Sequence, residues 1–174
     1  YPTENQTSDM NRYRAGEVDM TYEIPNDQIK MLRENFKDEL KISSYLGTYY
    51  YGFNVTRPPF KDNLKLREAL TLAIDRDVIT DKVTGAGEKP AYSFVPPGIN
   101  GYDHYTPEYA SLDKAARIEK AKKLYEEAGY GKDKPLKVDL LYNTSENHKK
   151  IAVAVAAMWK QNLGVQTNLT NQEW

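Results

Sequence analysis

Leu140-Leu141-Tyr142-Asn143-Thr144-Ser145-Glu146-Asn147-His148-Lys149-Lys150 is the stretch whose reading decides the fold. An apolar run ends at Tyr142, turns at Asn143-Thr144 and opens a helix at Ser145. In open α/β folds such strand-to-helix junctions border the ligand crevice. Downstream, Ser145 to Asn162 carries Ile151, Val155, Met158 and Trp159 at helical spacing and ends near Gly164; Val165 to Leu169 then alternates as a strand. Upstream, Leu112 to Ala128 places Ile118, Ala121, Leu124, Tyr125 and Ala128 on one helical face, closed by Gly129, and Leu136 to Tyr142 reads as a strand. Helix, strand, helix, strand makes a βαβ unit with parallel strands.

Further upstream, Asp62 or Asn63 caps a helix with Leu66, Ala69, Leu70 and Ala73 inward. Asp75-Arg76-Asp77 breaks and restarts it, and Val78, Ile79 and Val83 carry the apolar side to Gly85. Between Gly85 and Glu108 the chain is a proline- and glycine-rich loop whose aromatics, Tyr92, Phe94, Tyr102 and Tyr105, predict a packed segment. Residues Ile42 to Val55, with Tyr45, Leu46, Tyr49, Tyr50, Tyr51 and Phe53, give the strongest extended signal, bent at Gly47 and Gly52 and ended by Pro58-Pro59. Before it come a short helix from Thr7 or Ser8 to Gly16, a strand at Val18 to Thr21, and a helix from Pro25-Asn26-Asp27 with Ile29, Leu32, Phe36 and Leu40 on one face. This helix–strand–helix piece is too small to bury a core alone.

Composition narrows the function classes. The 174 residues carry 24 basic and 25 acidic side chains, net −1, and no basic stripe alternates with aromatics, so nucleic acid is not an expected partner. Cysteine is absent, which excludes disulfides, thiolate metal sites and a cysteine nucleophile without fixing a compartment. His104 has no second ligand at metal spacing, so neither a metal nor any other cofactor is expected. No serine sits in a nucleophile elbow and no glycine-rich phosphate loop exists, so the chain does not read as an enzyme. Asp75 and Asp77, with Arg76 between them, read as solvated helix caps. No apolar run reaches the roughly 20 residues that span a bilayer. The first residue is Tyr1, and both ends read as cuts through a longer protein.

His148 admits two readings. Near the first turn of a helix, with Lys149 and Lys150 beside it, it suits a carboxylate ligand, Asn143 supplying further hydrogen bonds. Equally, Ser145 and His148 have the spacing of a capping box on a surface helix.

The runs Tyr49-Tyr50-Tyr51, Arg57-Pro58-Pro59-Phe60, Ala73-Ile74-Asp75-Arg76-Asp77, Leu140 to Ser145, Met158-Trp159-Lys160 and Asn171-Gln172-Glu173-Trp174 resemble the periplasmic oligopeptide-binding proteins of bacterial ABC importers. Asn11-Arg12-Tyr13-Arg14-Ala15-Gly16-Glu17-Val18-Asp19-Met20 fits as well. Gly85 to Ala91 and Ser145-Glu146-Asn147-His148 lean toward the murein-peptide-binding type. The resemblance implies an α/β fragment of a two-lobed periplasmic-binding-protein fold, type II-like, with mixed sheets flanked by helices. Residues 1–45 would be the end of a first-lobe segment, and residues 46–174 the hinge crossing and the first part of the second lobe. It implies peptide capture in the periplasm or another extracytoplasmic space and delivery to an inner-membrane ABC permease. Murein tripeptides are the alternative ligand, and a peptide-interaction or chaperone-like module the alternative class. Carried over by position, His148 meets a peptide's C-terminal carboxylate, Asn143 and Trp174 line pockets, Tyr45 and Tyr50 face the cleft, and Tyr22 and Glu23 lie where ligand backbone is contacted. Gly47 and Thr84 stand where relatives carry a disulfide cysteine and a carboxylate-binding lysine.

Overall fold

Caps and helical periodicity account for most of the architecture in the computed structural model, which describes residues 5–173. Helix α1, Gln6–Arg14, is capped by Asn5, whose side chain accepts from the Ser8 N–H at 2.7 Å. The start is therefore earlier than Thr7 or Ser8, and it puts Gln6 and Met10, one turn apart, together on the buried face. A short 3-10 turn, Asn26–Gln28, leads into α2, Ile29–Asn35. Ile29 and Leu32 are buried as expected, but the helix stops before Phe36 and Leu40. Phe36 packs on the Tyr13 ring instead, with centroids 6.2 Å apart.

The two expected strands of the first third do not form. Val18–Thr21 is irregular, with a bend at Asp19 and Met20 exposed, so the helix–strand–helix piece is two helices joined by a loop. Ile42–Val55 likewise has no ladder partner among the described residues, and Ile42, Tyr45, Leu46, Tyr50 and Val55 are exposed. Extended propensity alone does not make a strand; the backbone groups need a second chain segment to pair with.

Helix α3, Leu64–Leu72, is capped by Asn63, which accepts from the Leu66 N–H at 3.2 Å, and Leu66, Ala69, Leu70 and Ala73 are fully buried. Asp75 caps the next turn, α4 (Arg76–Val78), through the Val78 N–H. A π-helical stretch, Ile79–Thr84, follows and closes at Gly85, whose φ of +66° suits a residue without a Cβ. Asp77 is exposed, but Asp75 is not the solvated cap expected. It is buried, 2.9 Å from Lys114 Nζ and 3.9 Å from Nη2 of Arg117, a residue only 3% exposed. Packing of α5 against α3 draws the carboxylate in.

The long loop is packed on one side only. Tyr92 and Tyr109 hold the Arg76 guanidinium, 5.0 and 5.8 Å from their ring centroids, whereas Phe94, Tyr102 and Tyr105 stay exposed.

A 3-10 turn, Glu108–Ser111, then leads to α5, Lys114–Glu127, capped by Asp113. Strand β1 (Lys137–Asn143), helix α6 (Glu146–Leu163) and strand β2 (Gln166–Gln172) complete the βαβ unit. The strands pair in parallel from Lys137↔Gln166 to Asn143↔Gln172, as the alternating pattern predicts. Trp159 fixes α6 to α3, its indole N–H donating to the Leu70 carbonyl at 2.9 Å, and Asn162 donates to the Ala73 carbonyl at 3.0 Å.

One apolar cluster joins α3, α5, α6 and both strands, from Leu66 to Val165, with Tyr51, Phe53 and Phe60 at its margin. Met10, Ile29 and Leu32 are buried outside it. Two groups of buried residues, one before residue 45 and one after residue 50, thus lie in one chain. The sheet's carboxyl end opens at Asn143, where the candidate site begins.

Candidate ligand-binding site

Strand β1 delivers Asn143 at its last position, and α6 delivers His148 from its first turn. The chain reversal between them brings the side chains together: His148 Nδ1 lies 2.5 Å from Asn143 Oδ1. An amide oxygen only accepts, so Nδ1 carries the hydrogen, and in the neutral ring Nε2 is left as a lone-pair acceptor. Ser145 makes no side-chain hydrogen bond to the helix end, so the capping-box reading of the pair does not hold. Tyr49 lies against the imidazole, ring centroids 4.8 Å apart and planes inclined by 33°. Tyr51 meets Tyr49 edge-on at 5.6 Å. Burial pushes the Tyr51 hydroxyl far above its ordinary value, with the Tyr49 hydrogen bond adding to the shift. Both phenols are therefore neutral hydrogen-bonding groups.

Burial lowers the His148 pKa below 6.5, and the Glu23 carboxylate partly offsets that. The ring is thus neutral at pH 7 in the unliganded site. In a His104→Gln background, an NMR titration of His148 should give a pKa below 6.5, and Glu23→Gln should lower it further. A value at or above 6.5 would contradict the buried environment.

The other sequence candidates fall differently. Glu23 accepts from the Gln6 side chain at 2.6 Å and stands in electrostatic reach of His148. Tyr22 is 84% exposed and Tyr45 83% exposed. Tyr45 folds over Gly47 so closely that a Cβ there would meet its ring at 2.7 Å. A cysteine at this position would need Tyr45 turned aside. Tyr50 meets Phe94 edge-on at 4.9 Å, both rings exposed. Trp174 lies outside the described residues. Thr84, buried, donates its one hydroxyl hydrogen to the Glu88 carboxylate at 2.9 Å.

Sequence reasoning missed Tyr49. The signal was available: extended backbone alternates, so Tyr49, Tyr51 and Phe53 share a side opposite Tyr50. Tyr51 and Phe53 pack toward the core on that side and Tyr49 reaches His148. Among the described residues no group of acidic residues and histidines is placed to hold a metal, and no helix is long and apolar enough to cross a membrane.

A neutral acceptor, a polar amide and phenol faces thus share one wall. The sequence profile of the bacterial extracellular solute-binding proteins, family 5 Middle, matches residues 1–174. The chain belongs to this family. It is 49% identical over 174 residues to the periplasmic oligopeptide-binding protein OppA of Salmonella typhimurium, covering 99% of this chain and 32% of that protein. The chain therefore spans about a third of the length of the curated relatives it matches. The structure of the Escherichia coli murein tripeptide binding protein MppA superposes with a TM-score of 0.95 at 43% identity, covering 99% of this chain and 34% of that one. A second MppA structure, described as the unliganded open form, gives 0.76 at the same 43% identity, over 99% of this chain and 33% of that one. Identity is the same, so the lower score reflects how parts of this segment are arranged. Those relatives are named as binding proteins; none of these names describes an enzyme.

Proposed function

We propose that the chain is part of a periplasmic, or otherwise extracytoplasmic, solute-binding protein that captures oligopeptides and hands them to an ABC permease. The observation that carries this is the family match together with 49% identity to a protein named for oligopeptide binding. Residues 1–45 end a first-lobe segment, and residues 46–174 cross the hinge and begin the second lobe. The protein binds its ligand without transforming it and needs no cofactor.

His148, Asn143 and Tyr49 form part of one wall of the cleft, with Tyr50 and Tyr45 along the crossing and Trp174, Tyr22 and Glu23 as further contacts. A ligand carboxylate meeting Nε2 needs a donor there, so binding converts His148 to the imidazolium and takes up a proton. The Glu23 carboxylate favours that protonated state. A murein tripeptide is the second reading, favoured by the superposition on MppA at a TM-score of 0.95.

Calorimetry on the full-length protein tests both. Tri- to pentapeptides are titrated against L-Ala-γ-D-Glu-diaminopimelate, in two buffers of different ionisation enthalpy. Binding below the millimolar range with net proton uptake near pH 7 is expected. No binding of either ligand class would end the transport reading; binding without proton uptake would remove His148 from the carboxylate site.

A further inference from the structure

The first 45 residues add nothing to the main core; polar contacts join them to the rest of the chain, along with Ile29 beside Gly85 and Ile42 beside Gly87. The apolar cluster from Leu66 to Val165 includes no residue before Tyr51. Across the junction, Asp27 Oδ1 lies 2.9 Å from Lys150 Nζ, and Arg33 donates to the Ala86 carbonyl at 3.2 Å. Between these two contacts lies an open cavity of about 730 Å³, lined by Ile29, Lys30 and Glu34 on one side and by Asp81, Val83 and Gly85 on the other. An interface built this way parts more cheaply than a shared core, because water can take over its polar groups. Lys150, the fifth residue of α6, sits two residues after His148, so whatever holds Lys150 also holds the end of α6 that carries His148. The two MppA structures differ in how this segment superposes on them, 0.95 against 0.76, and the arrangement described here is near the first.

We infer that Asp27 and Lys150, aided by the Arg33–Ala86 bond, form a latch that holds the two segments together over the His148 site and sets how long a ligand stays. This rests on the peptide-capture reading above. Asp27 and Lys150 are positioning residues: they act on the ligand through the arrangement of the two segments. An exposed ion pair of this kind shifts an equilibrium by about two- to five-fold. The shift belongs in the dissociation rate, because the latch forms after the ligand has entered.

The experiment uses the full-length protein with a tetrapeptide it binds. Asp27→Asn and Lys150→Met should each speed peptide dissociation by about two- to five-fold with little change in association. The wild-type rate should rise with salt and the variants' rates should not. The exchange pair Asp27→Lys with Lys150→Asp should restore slow release. If Lys150 instead grips the ligand carboxylate directly, Asp27→Asn would free it and slow release, which would overturn the latch. Failure of the exchange pair to restore release would overturn it too. If the wild type binds no peptide, the capture reading fails, and the latch is judged by the distance between spin labels on α2 and α6. A distribution that lengthens in Asp27→Asn supports it, and an unchanged one removes it.

Discussion

Trp159→Ala is expected to cost about 3–5 kcal/mol of stability, the range for truncating a buried aromatic side chain. Trp159 is 4% exposed at the centre of the cluster joining α3, α5, α6 and the sheet. Truncation leaves a cavity between α6 and α3. It also orphans the Leu70 carbonyl, which accepts from the indole at 2.9 Å inside the core. Losing a buried partner adds a desolvation cost to the packing cost. Trp159→Phe keeps most of the volume and should recover part of the loss, the missing hydrogen bond setting the remainder. Urea titration followed by far-UV circular dichroism reads both, at unchanged m-value. A loss under about 1 kcal/mol for Trp159→Ala would mean that α6 is not seated on α3 as described.

Asp75→Ala should be of comparable size, about 3–5 kcal/mol, for an electrostatic reason. Arg117 is 3% exposed and has Asp75 as its ion-pair partner, 3.9 Å away. Removing the carboxylate leaves a guanidinium in the interior uncompensated, and the Val78 N–H loses its cap. Asp75→Asn keeps the shape and the cap, so it isolates the charge and should cost less. The same pair predicts an acid sensitivity. Burial by itself raises the Asp75 pKa, but the Lys114 hydrogen bond, the Val78 N–H and the two cations together hold it below its ordinary 3.8. The folded protein therefore binds this proton less readily than the unfolded chain. The stabilisation is complete above 3.8 and is lost as pH falls through the lowered folded value. An acid titration in which wild type and Asp75→Asn converge at low pH is the expected pattern; parallel curves would contradict it.

What the sequence displayed well was whatever closes within a short span. The faces of α3, α5 and α6 repeat every three to four residues, their caps at Asn63 and Asp113 are local, and β1 and β2 are brought together by the helix between them. The same locality made the Asn143–His148 junction readable, since five residues of chain fix its geometry. Ile42–Val55 and Val18–Thr21 failed for the opposite reason. β-branched and aromatic residues announce extended backbone, but a ladder needs a partner, and no described segment supplies one. Tyr45 and Tyr50 come from the family resemblance, which does not tell which ring of the run reaches His148; the alternation of extended backbone points to Tyr49. The burial of Asp75 was hidden because its cations come from a helix nearly forty residues away.

The separation of the two buried groups bears on which parts of the chain depend on which. The cluster from Leu66 to Val165 closes partly over the crossover from β1 to β2 and partly over long spans of chain, Trp159 on α6 reaching back to Leu70 on α3. Met10, Ile29 and Leu32 contribute nothing to that assembly. Residues from α3 onward thus share one packed core, which α1 and α2 meet through the Asp27–Lys150 and Arg33–Ala86 contacts. Damage to α1 or α2 should therefore leave the packing of that core in place, and damage to the core should take the footing of α1 and α2 with it.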